Sequence, residues 1–180
     1  MSEPRHDLRR RTVELVSLAP YYERLQARVE GLTDEEYLWE PVPGCLTVKP
    51  DEPGSFATGG PPSPGPLTTI AWRICHIGDF LRHERNWRWL GREPEQLDRD
   101  IRHPMTAAGG LAYVGASWTS WQRLVSSLTP DEMWAPMGPI AGPYGDSERI
   151  GLVIHIMDEL IHHAAEVGVM RDLYAATSRS

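Results

Sequence analysis

The stretch Ile154–Glu166, which reads IHIMDELIHHAAE, decides the fold of this chain. Its apolar residues recur every three or four positions, and the same spacing continues on both sides of it. This periodicity is typical of an amphipathic helix and predicts one from about Ser147 to Tyr174. The apolar stripe consists of Val153, Ile156, Met157, Leu160, Ala164 and Val167.

Three further segments are predicted to be helical, so the predicted fold class is all-α. They run from about Asp7 to Glu30, from Thr68 to Leu90 and from Gly110 to Leu128. Pro20 predicts a kink or a break in the first of them, and Gly91 predicts the end of the second. The segments 44–66 and 136–145 are rich in proline and glycine and are predicted to be loops.

Two short segments with similar sequence patterns follow two of the predicted helices and suggest an internal repeat. Leu32–Pro41 follows the first predicted helix, and Leu128–Pro136 follows the third. In each segment a threonine, Thr33 or Thr129, precedes a glutamate by three residues, which is the pattern of a capping box. Two helical hairpins packed together would form a four-helix bundle. Chance similarity of the two segments is the alternative.

The composition suits one domain over residues 1–180 and limits the classes of partner. A chain of 180 residues with 41% hydrophobic residues can bury a sizeable core. The net charge of −7 argues against nucleic-acid binding, which needs a basic surface. No apolar run approaches the roughly 18 residues of a membrane span, so no membrane partner is expected. Cys45 and Cys75 form no disulfide framework, and a cytoplasmic location is therefore expected.

Glu159 and His163 in the fourth predicted helix are the first candidates for a metal site. They are four positions apart and therefore lie on one helix face. Two such side chains can bind one divalent cation, and His76 in the second predicted helix is the best candidate for a third ligand. His155, one turn before Glu159, is a rival ligand. Imidazole and carboxylate suit zinc, nickel or iron, and three protein ligands leave positions open for water or substrate.

Structural roles are the alternative for each of these residues. A lone histidine on a helix is usually structural, and periodicity alone would make His76 a partly buried surface residue. Glu166, three positions after His163, can orient that ring without binding the metal itself. The arginines of the second predicted helix either form ion pairs with neighbouring helices or anchor a carboxylate ligand. These arginines are Arg73, Arg82, Arg85 and Arg88.

The chain resembles the DinB/YfiT-like superfamily of helical bundles, which includes bacillithiol- and mycothiol-dependent transferases. The resemblance rests on the order and spacing of five segments across nearly the whole chain. They are Gly31–Glu36, Trp39–Cys45, Ala71–Ile77, Asp158–Glu166 and Arg171–Tyr174. The segment Asp158–Glu166 is similar to the actinobacterial branch and to mycothiol-dependent maleylpyruvate isomerases. The resemblance implies a DinB-like four-helix bundle of up-down-down-up order with long connecting loops, in which residues 44–66 form a possible lid.

The resemblance also implies a metal site. Many members bind metal through a histidine on the second helix and a His-x-x-x-His pair on the fourth. Here His76 and His163 match the first and last of these ligands, and Glu159 stands in the middle position. The isomerase branch is similar in using glutamate there. The implied cofactors are a divalent metal, with zinc and nickel as first candidates, and a low-molecular-weight thiol such as mycothiol.

We therefore expect a metal-dependent enzyme that acts on a small molecule. The expected class is a thiol S-transferase or a related isomerase or hydrolase, with His76, Glu159 and His163 as metal ligands and no catalytic residue assigned. The alternative is a non-catalytic bundle that binds a small ligand or serves a stress response, in which Glu159 marks a degenerate metal site. The resemblance also implies a homodimer.

Overall fold

The structure is a computed structural model that describes residues 20–49, 67–95 and 102–177. Over these ranges the chain forms seven α-helices, one 3-10 helix and two isolated β-bridges, so the predicted all-α fold class is confirmed. The α-helices are α1 (Pro20–Arg28), α2 (Asp34–Tyr37), α3 (Ile70–Arg82), α4 (Glu84–Trp89), α5 (Ala107–Ser126), α6 (Pro130–Met133) and α7 (Arg149–Thr177). The 3-10 helix is Pro139–Tyr144, within the segment predicted to be a loop.

Threonine side chains begin four of these helices. Thr69 and Thr106 each accept a hydrogen bond from a backbone N–H three residues later, and so cap α3 and α5. Thr129 caps α6 as part of the predicted capping box. Thr33 caps α2, but the box predicted there is incomplete because the carboxylate of Glu36 pairs elsewhere. The two segments of the suggested repeat, Leu32–Pro41 and Leu128–Pro136, are therefore alike at their threonines and differ at their glutamates.

The second predicted helix is divided into α3 and α4, which corrects the prediction of one helix from Thr68 to Leu90. His83 has φ −55° and ψ 130°, so the backbone leaves the helix at this residue. Its Nδ1 accepts a hydrogen bond from the backbone N–H of Arg85 and thereby caps α4. Gly91 follows α4 with a φ of 75°, as its predicted role as a helix terminator requires.

The four long helices α1, α3, α5 and α7 form the bundle. α3 packs against both α5 and α7, and α1 packs against α7. Along α3, Arg73 contacts Glu166 and Phe80 contacts His155, so α3 and α7 are antiparallel. A simple up-down-up-down order would make these two helices parallel, whereas the expected up-down-down-up order makes them antiparallel.

The remaining side of the bundle is closed by α1 and α5. Tyr22, near the start of α1, stacks on Trp118 in the second half of α5, with ring centroids 5.0 Å apart. Asp34, beyond the end of α1, accepts a hydrogen bond of 2.7 Å from the backbone N–H of Ala107, the first residue of α5. These two contacts make α1 and α5 antiparallel, which also agrees with the up-down-down-up order.

The core lies where the long helices of the bundle meet. The fully buried side chains include Ile70, Ile74, Ile77 and Leu81 of α3, Trp121 and Leu124 of α5, and Ile156 and Leu160 of α7. Cys75 is buried in the same core, as expected for a small apolar residue. None of the described helices has the length and apolar character needed to cross a membrane.

Two predictions lie wholly or largely outside the described residues. The first predicted helix is seen only from Pro20 onward, so the residues on the other side of the predicted break are not described. The predicted lid, 44–66, is described only as far as residue 49. Its role as a lid stays a prediction.

Candidate metal centre

Three side chains from two antiparallel helices converge inside the bundle. His76 comes from α3, and Glu159 and His163 come from consecutive turns of α7. One ligand atom from each lies within 4.8 Å of the other two. The Nε2 of His163 is 3.1 Å from Oε2 of Glu159, and the rings of the two histidines meet edge to face with centroids 4.8 Å apart. The structure therefore brings together all three residues predicted as metal ligands.

The aromatic side chains one turn away on α3 fix the position of the His76 ring. Trp72, four residues before it, stacks on the ring with centroids 4.6 Å apart and an interplanar angle of 19°. Phe80, four residues after it, meets the ring edge to face at 5.0 Å. The i and i+4 spacing of α3 thus holds the imidazole between two rings. The aromatic residues around His76 were visible in the sequence, but their role in orienting it was not predicted.

Glu166 and Arg73 form a hydrogen-bonded pair beside Nδ1 of His163, the ring nitrogen that faces away from Glu159. Oε2 of Glu166 lies 2.7 Å from Nδ1 of His163. The same oxygen accepts a hydrogen bond of 3.0 Å from Nε of Arg73, which comes from α3. Glu166 therefore orients the ring as expected, and Arg73 compensates the charge of Glu166. This arrangement is the carboxylate–histidine pairing that commonly supports metal-binding imidazoles.

The distances around His163 favour the tautomer that frees Nε2. Nδ1 lies 2.7 Å from Oε2 of Glu166 and 3.1 Å from Nη1 of Arg73, and Nε2 lies 3.1 Å from Oε2 of Glu159. Because the contact with the Glu166 carboxylate is the shortest of the three, we assign the proton to Nδ1, which then donates to Glu166 and does not accept from Arg73. The lone pair of Nε2 then faces the carboxylate of Glu159. Two electron-rich atoms at this separation repel each other unless a cation or a proton lies between them. This donor set therefore fits a metal ion.

The histidines are held in the protonation state that a metal ligand needs. Burial lowers the pKa of His76 to about 4, and the neighbouring His163 acts in the same direction. Burial also lowers the pKa of His163, although Glu166 opposes this effect. Both imidazoles are consequently neutral at neutral pH, with a lone pair available.

A second group of possible ligands shares His163 but is less suited to a metal. It combines His163 with His162 and Glu166. The side chain of His162 is 52% exposed, and Glu166 is already bound to Arg73. His155, the predicted rival ligand, belongs to neither group and instead meets Phe80 edge to face at 6.0 Å.

The arginines of α3 and α4 differ in their contacts. Arg73 pairs with Glu166 of α7, which confirms the predicted ion pair with a neighbouring helix, whereas Arg88 pairs with Glu84 of its own helix. Arg82 lies over the ring of Tyr113, at 5.3 Å from its centroid. Arg85 forms no ion pair with the described residues.

Comparison with protein-family models identifies a match to the DinB superfamily over residues 21–167. The matched region is more than half of the chain and includes all three candidate ligands. Comparisons with curated proteins and with solved structures found no match.

Proposed function

Because the chain belongs to the DinB superfamily, we propose that it is a metal-dependent enzyme whose divalent ion is bound by His76, Glu159 and His163. The superfamily is metal-binding in general. The observation that carries the proposal is the approach of Nε2 of His163 to Oε2 of Glu159 at 3.1 Å, with His76 beside them. Zinc and nickel are the first candidates for the ion, because two imidazoles and a carboxylate suit both.

The chain's own residues prepare this site for the ion. Glu166 holds the proton of His163 on Nδ1, and Arg73 pairs with the same carboxylate oxygen of Glu166. Trp72 and Phe80 restrict rotation of His76, so little conformational freedom is lost when the ring binds a ligand. Glu159 supplies one negative charge, which leaves a divalent ion with a net positive charge.

We assign the reaction to thiol transfer or to a related isomerisation or hydrolysis of a small molecule. A bound divalent ion supplies Lewis acidity, which favours the anionic form of a thiol or of water. In thiol transfer, a low-molecular-weight thiol such as mycothiol loses its proton to solvent. Its sulfur then forms a bond to an electrophilic carbon, and the leaving group departs with its bonding electrons. No side chain is assigned as a catalytic acid or base.

A binding protein without catalysis is the second candidate, and Glu159 is the residue that favours it. A second proton on His163 would satisfy both carboxylates, Glu159 and Glu166, without any metal. Burial works against this state because it lowers the pKa of His163. We therefore rank the metal-dependent enzyme first and keep the binding protein as the alternative.

Thiol consumption tests the reaction. Untagged protein loaded with zinc or nickel would be mixed with mycothiol and monochlorobimane, which becomes fluorescent when sulfur displaces chloride. We expect turnover above the uncatalysed rate in the wild type and in His155→Ala, and its loss in His163→Ala and after treatment with chelator. His155→Ala is the matched control, because it removes a histidine of the same helix that lies outside the ligand group. Metal-loaded wild type without turnover would support the binding protein.

A further inference from the structure

Arg85 carries a charge for which the described residues provide no acceptor. Its Nε and Nη2 atoms are buried and have no hydrogen-bond partner among these residues. Arg73 and Arg88, by contrast, each pair with a glutamate. A buried guanidinium without an acceptor is unfavourable, because it has lost its hydration without gaining hydrogen bonds. A ligand with an acceptor group would satisfy these two donors.

The helix that carries Arg85 adjoins both helices that carry the candidate metal ligands. α4, which carries Arg85, packs against both α7 and the 3-10 helix. Burial lowers the pKa of Arg85, and the carboxylate of Glu159 acts in the opposite direction. No carboxylate oxygen of the described residues is within ion-pair distance of Arg85. Arg85 is thus carried by a helix that packs on α7, and no described carboxylate neutralises its charge.

Aromatic side chains hold the Arg85 guanidinium and shape its surroundings. The guanidinium carbon lies over the ring of Trp89, at 4.9 Å from its centroid. Trp89 in turn packs against Tyr144 of the 3-10 helix, with centroids 5.9 Å apart. This contact is a cation–π interaction, which stabilises the charge but leaves the planar N–H groups free to donate. Arg85 therefore combines two buried donors with an aromatic neighbour.

We propose that Arg85 binds the carboxylate of a small substrate that carries an apolar or aromatic body. The inference rests on the proposed function, since it assigns a substrate class to the same site. The two buried donors, Nε and Nη2, lie in one plane and match the two oxygens of a carboxylate. A divalent ion on Glu159 and the charge of Arg85 would both attract an anion. Arg85 is accordingly a substrate-binding residue that sets specificity.

Calorimetric titration with benzoate tests this inference. The untagged full-length protein would be compared as wild type, Arg85→Gln and Arg88→Gln, with neutral benzamide as the matched ligand. We expect Arg85→Gln to weaken benzoate binding by ~10-fold or more, because a charge-assisted hydrogen bond is lost. Arg88→Gln should leave the affinity unchanged, and benzamide should bind weakly to all three proteins. Benzoate binding that is equal in wild type and Arg85→Gln, or absent from the wild type, would overturn the inference.

A second variant, Arg85→Lys, and removal of the metal by a chelator distinguish failure of this inference from failure of the proposed function. Arg85→Lys keeps the charge but loses the planar donors, so we expect an affinity between those of wild type and Arg85→Gln at an unchanged melting temperature. The titrations would be run on zinc-loaded and on chelator-treated protein. Arg85-dependent benzoate binding in a protein that retains no metal would support this inference while the proposed function fails. If the protein retains metal and benzoate binding does not depend on Arg85, this inference is refuted and the proposed function is not.

Discussion

At the scale of single residues, the candidate metal centre depends on the two nitrogens of His163. Nδ1 faces Glu166 and Nε2 faces Glu159, so each edge of the ring has a different partner. The sequence predicted both carboxylates, because they lie four residues before and three residues after the histidine on one helix. It predicted an ion pair between Arg73 and a neighbouring helix but not the partner, since Arg73 and Glu166 are 93 positions apart in the sequence.

Removing the charge of Glu166 is expected to weaken metal binding without removing the ligands. In Glu166→Gln the amide can still accept from Nδ1, but the histidine becomes a weaker donor and Arg73 loses its counterion. Loss of such a supporting carboxylate typically weakens metal affinity by about 10–100-fold. Competition with a zinc chelator of known affinity measures the change, and His162→Gln, an exposed neighbour, is the control. An affinity equal to that of the wild type would contradict the assigned role of Glu166.

At the scale of secondary-structure elements, α3 presents a different group of residues to each neighbouring helix. His76 meets α7, whereas Asp79 accepts a hydrogen bond of 2.5 Å from the hydroxyl of Tyr113 on α5. His103, ahead of α5, hydrogen-bonds to the same carboxylate at 2.9 Å. Gly78 lies against Tyr113 and allows the two helices to approach closely. α3 is therefore fixed against α5 on one side and carries His76, a candidate metal ligand, on the side that faces α7.

Two glycines in helices should respond in opposite directions to substitution by alanine. A Cβ atom at Gly78 would overlap the ring of Tyr113, which its bond to Asp79 holds in place, so we expect Gly78→Ala to destabilise by about 1–3 kcal/mol. Gly151, in the first turn of α7, has no atom within 4 Å of the corresponding position. Gly151→Ala should therefore stabilise by about 0.5–1 kcal/mol, because alanine loses less backbone entropy in a helix.

Urea unfolding of the two variants beside wild type measures these free energies. Gly151→Ala is the control for the general effect of alanine in a helix. Stabilisation by both substitutions would contradict the close approach of α3 and α5 at Gly78.

The cap of α6 should make stability depend on pH. A hydrogen bond from Arg92 is the main cause that lowers the pKa of Glu132 to about 2, and bonds from Thr129 add to it. The folded state therefore favours the ionised carboxylate. Its contribution to stability is fully present above the ordinary pKa of 4.5 and is lost as the pH falls from there towards 2.

Glu132→Gln is therefore expected to be less stable than wild type at pH 6, with a difference that becomes smaller as the pH falls to 3. Urea midpoints at the two pH values measure the difference. Asp131→Asn, at the neighbouring position of α6, corrects for the general effect of a negative charge near the start of a helix. A difference between wild type and Glu132→Gln that is the same at both pH values would contradict the account.

At the scale of the whole molecule, segments far apart in the sequence meet in the fold. Glu36 forms a two-fold hydrogen-bonded ion pair with Arg171, at 2.8 and 3.0 Å. Trp39 packs edge to face on Tyr174, with centroids 5.5 Å apart. These residues belong to segments on which the resemblance to the superfamily was based. The contacts give a physical reason for their joint occurrence, since they join the end of α7 to the region after α1.

The fold was more predictable from the sequence than the site. Helical periodicity, threonine caps and Gly91 are local signals, and they predicted the described outer ends of the long helical segments to within a few residues. The break at His83 was missed because the bond that stabilises it uses a side chain with no strong capping preference. The unpaired donors of Arg85 could not be predicted, because they depend on where the acceptor groups of the neighbouring helices lie in the folded protein. The homodimer stays a prediction, and sedimentation at several concentrations would test it.

Elemental analysis of untagged protein tests the central claim most directly. Wild type, His163→Ala and His155→Ala would be expressed with zinc and nickel in the medium and measured side by side. We predict about one metal ion per chain in wild type and in His155→Ala, and its loss in His163→Ala, as expected for a site with three protein ligands. A wild type without metal, or metal retained in His163→Ala, would contradict a metal centre built on His76, Glu159 and His163.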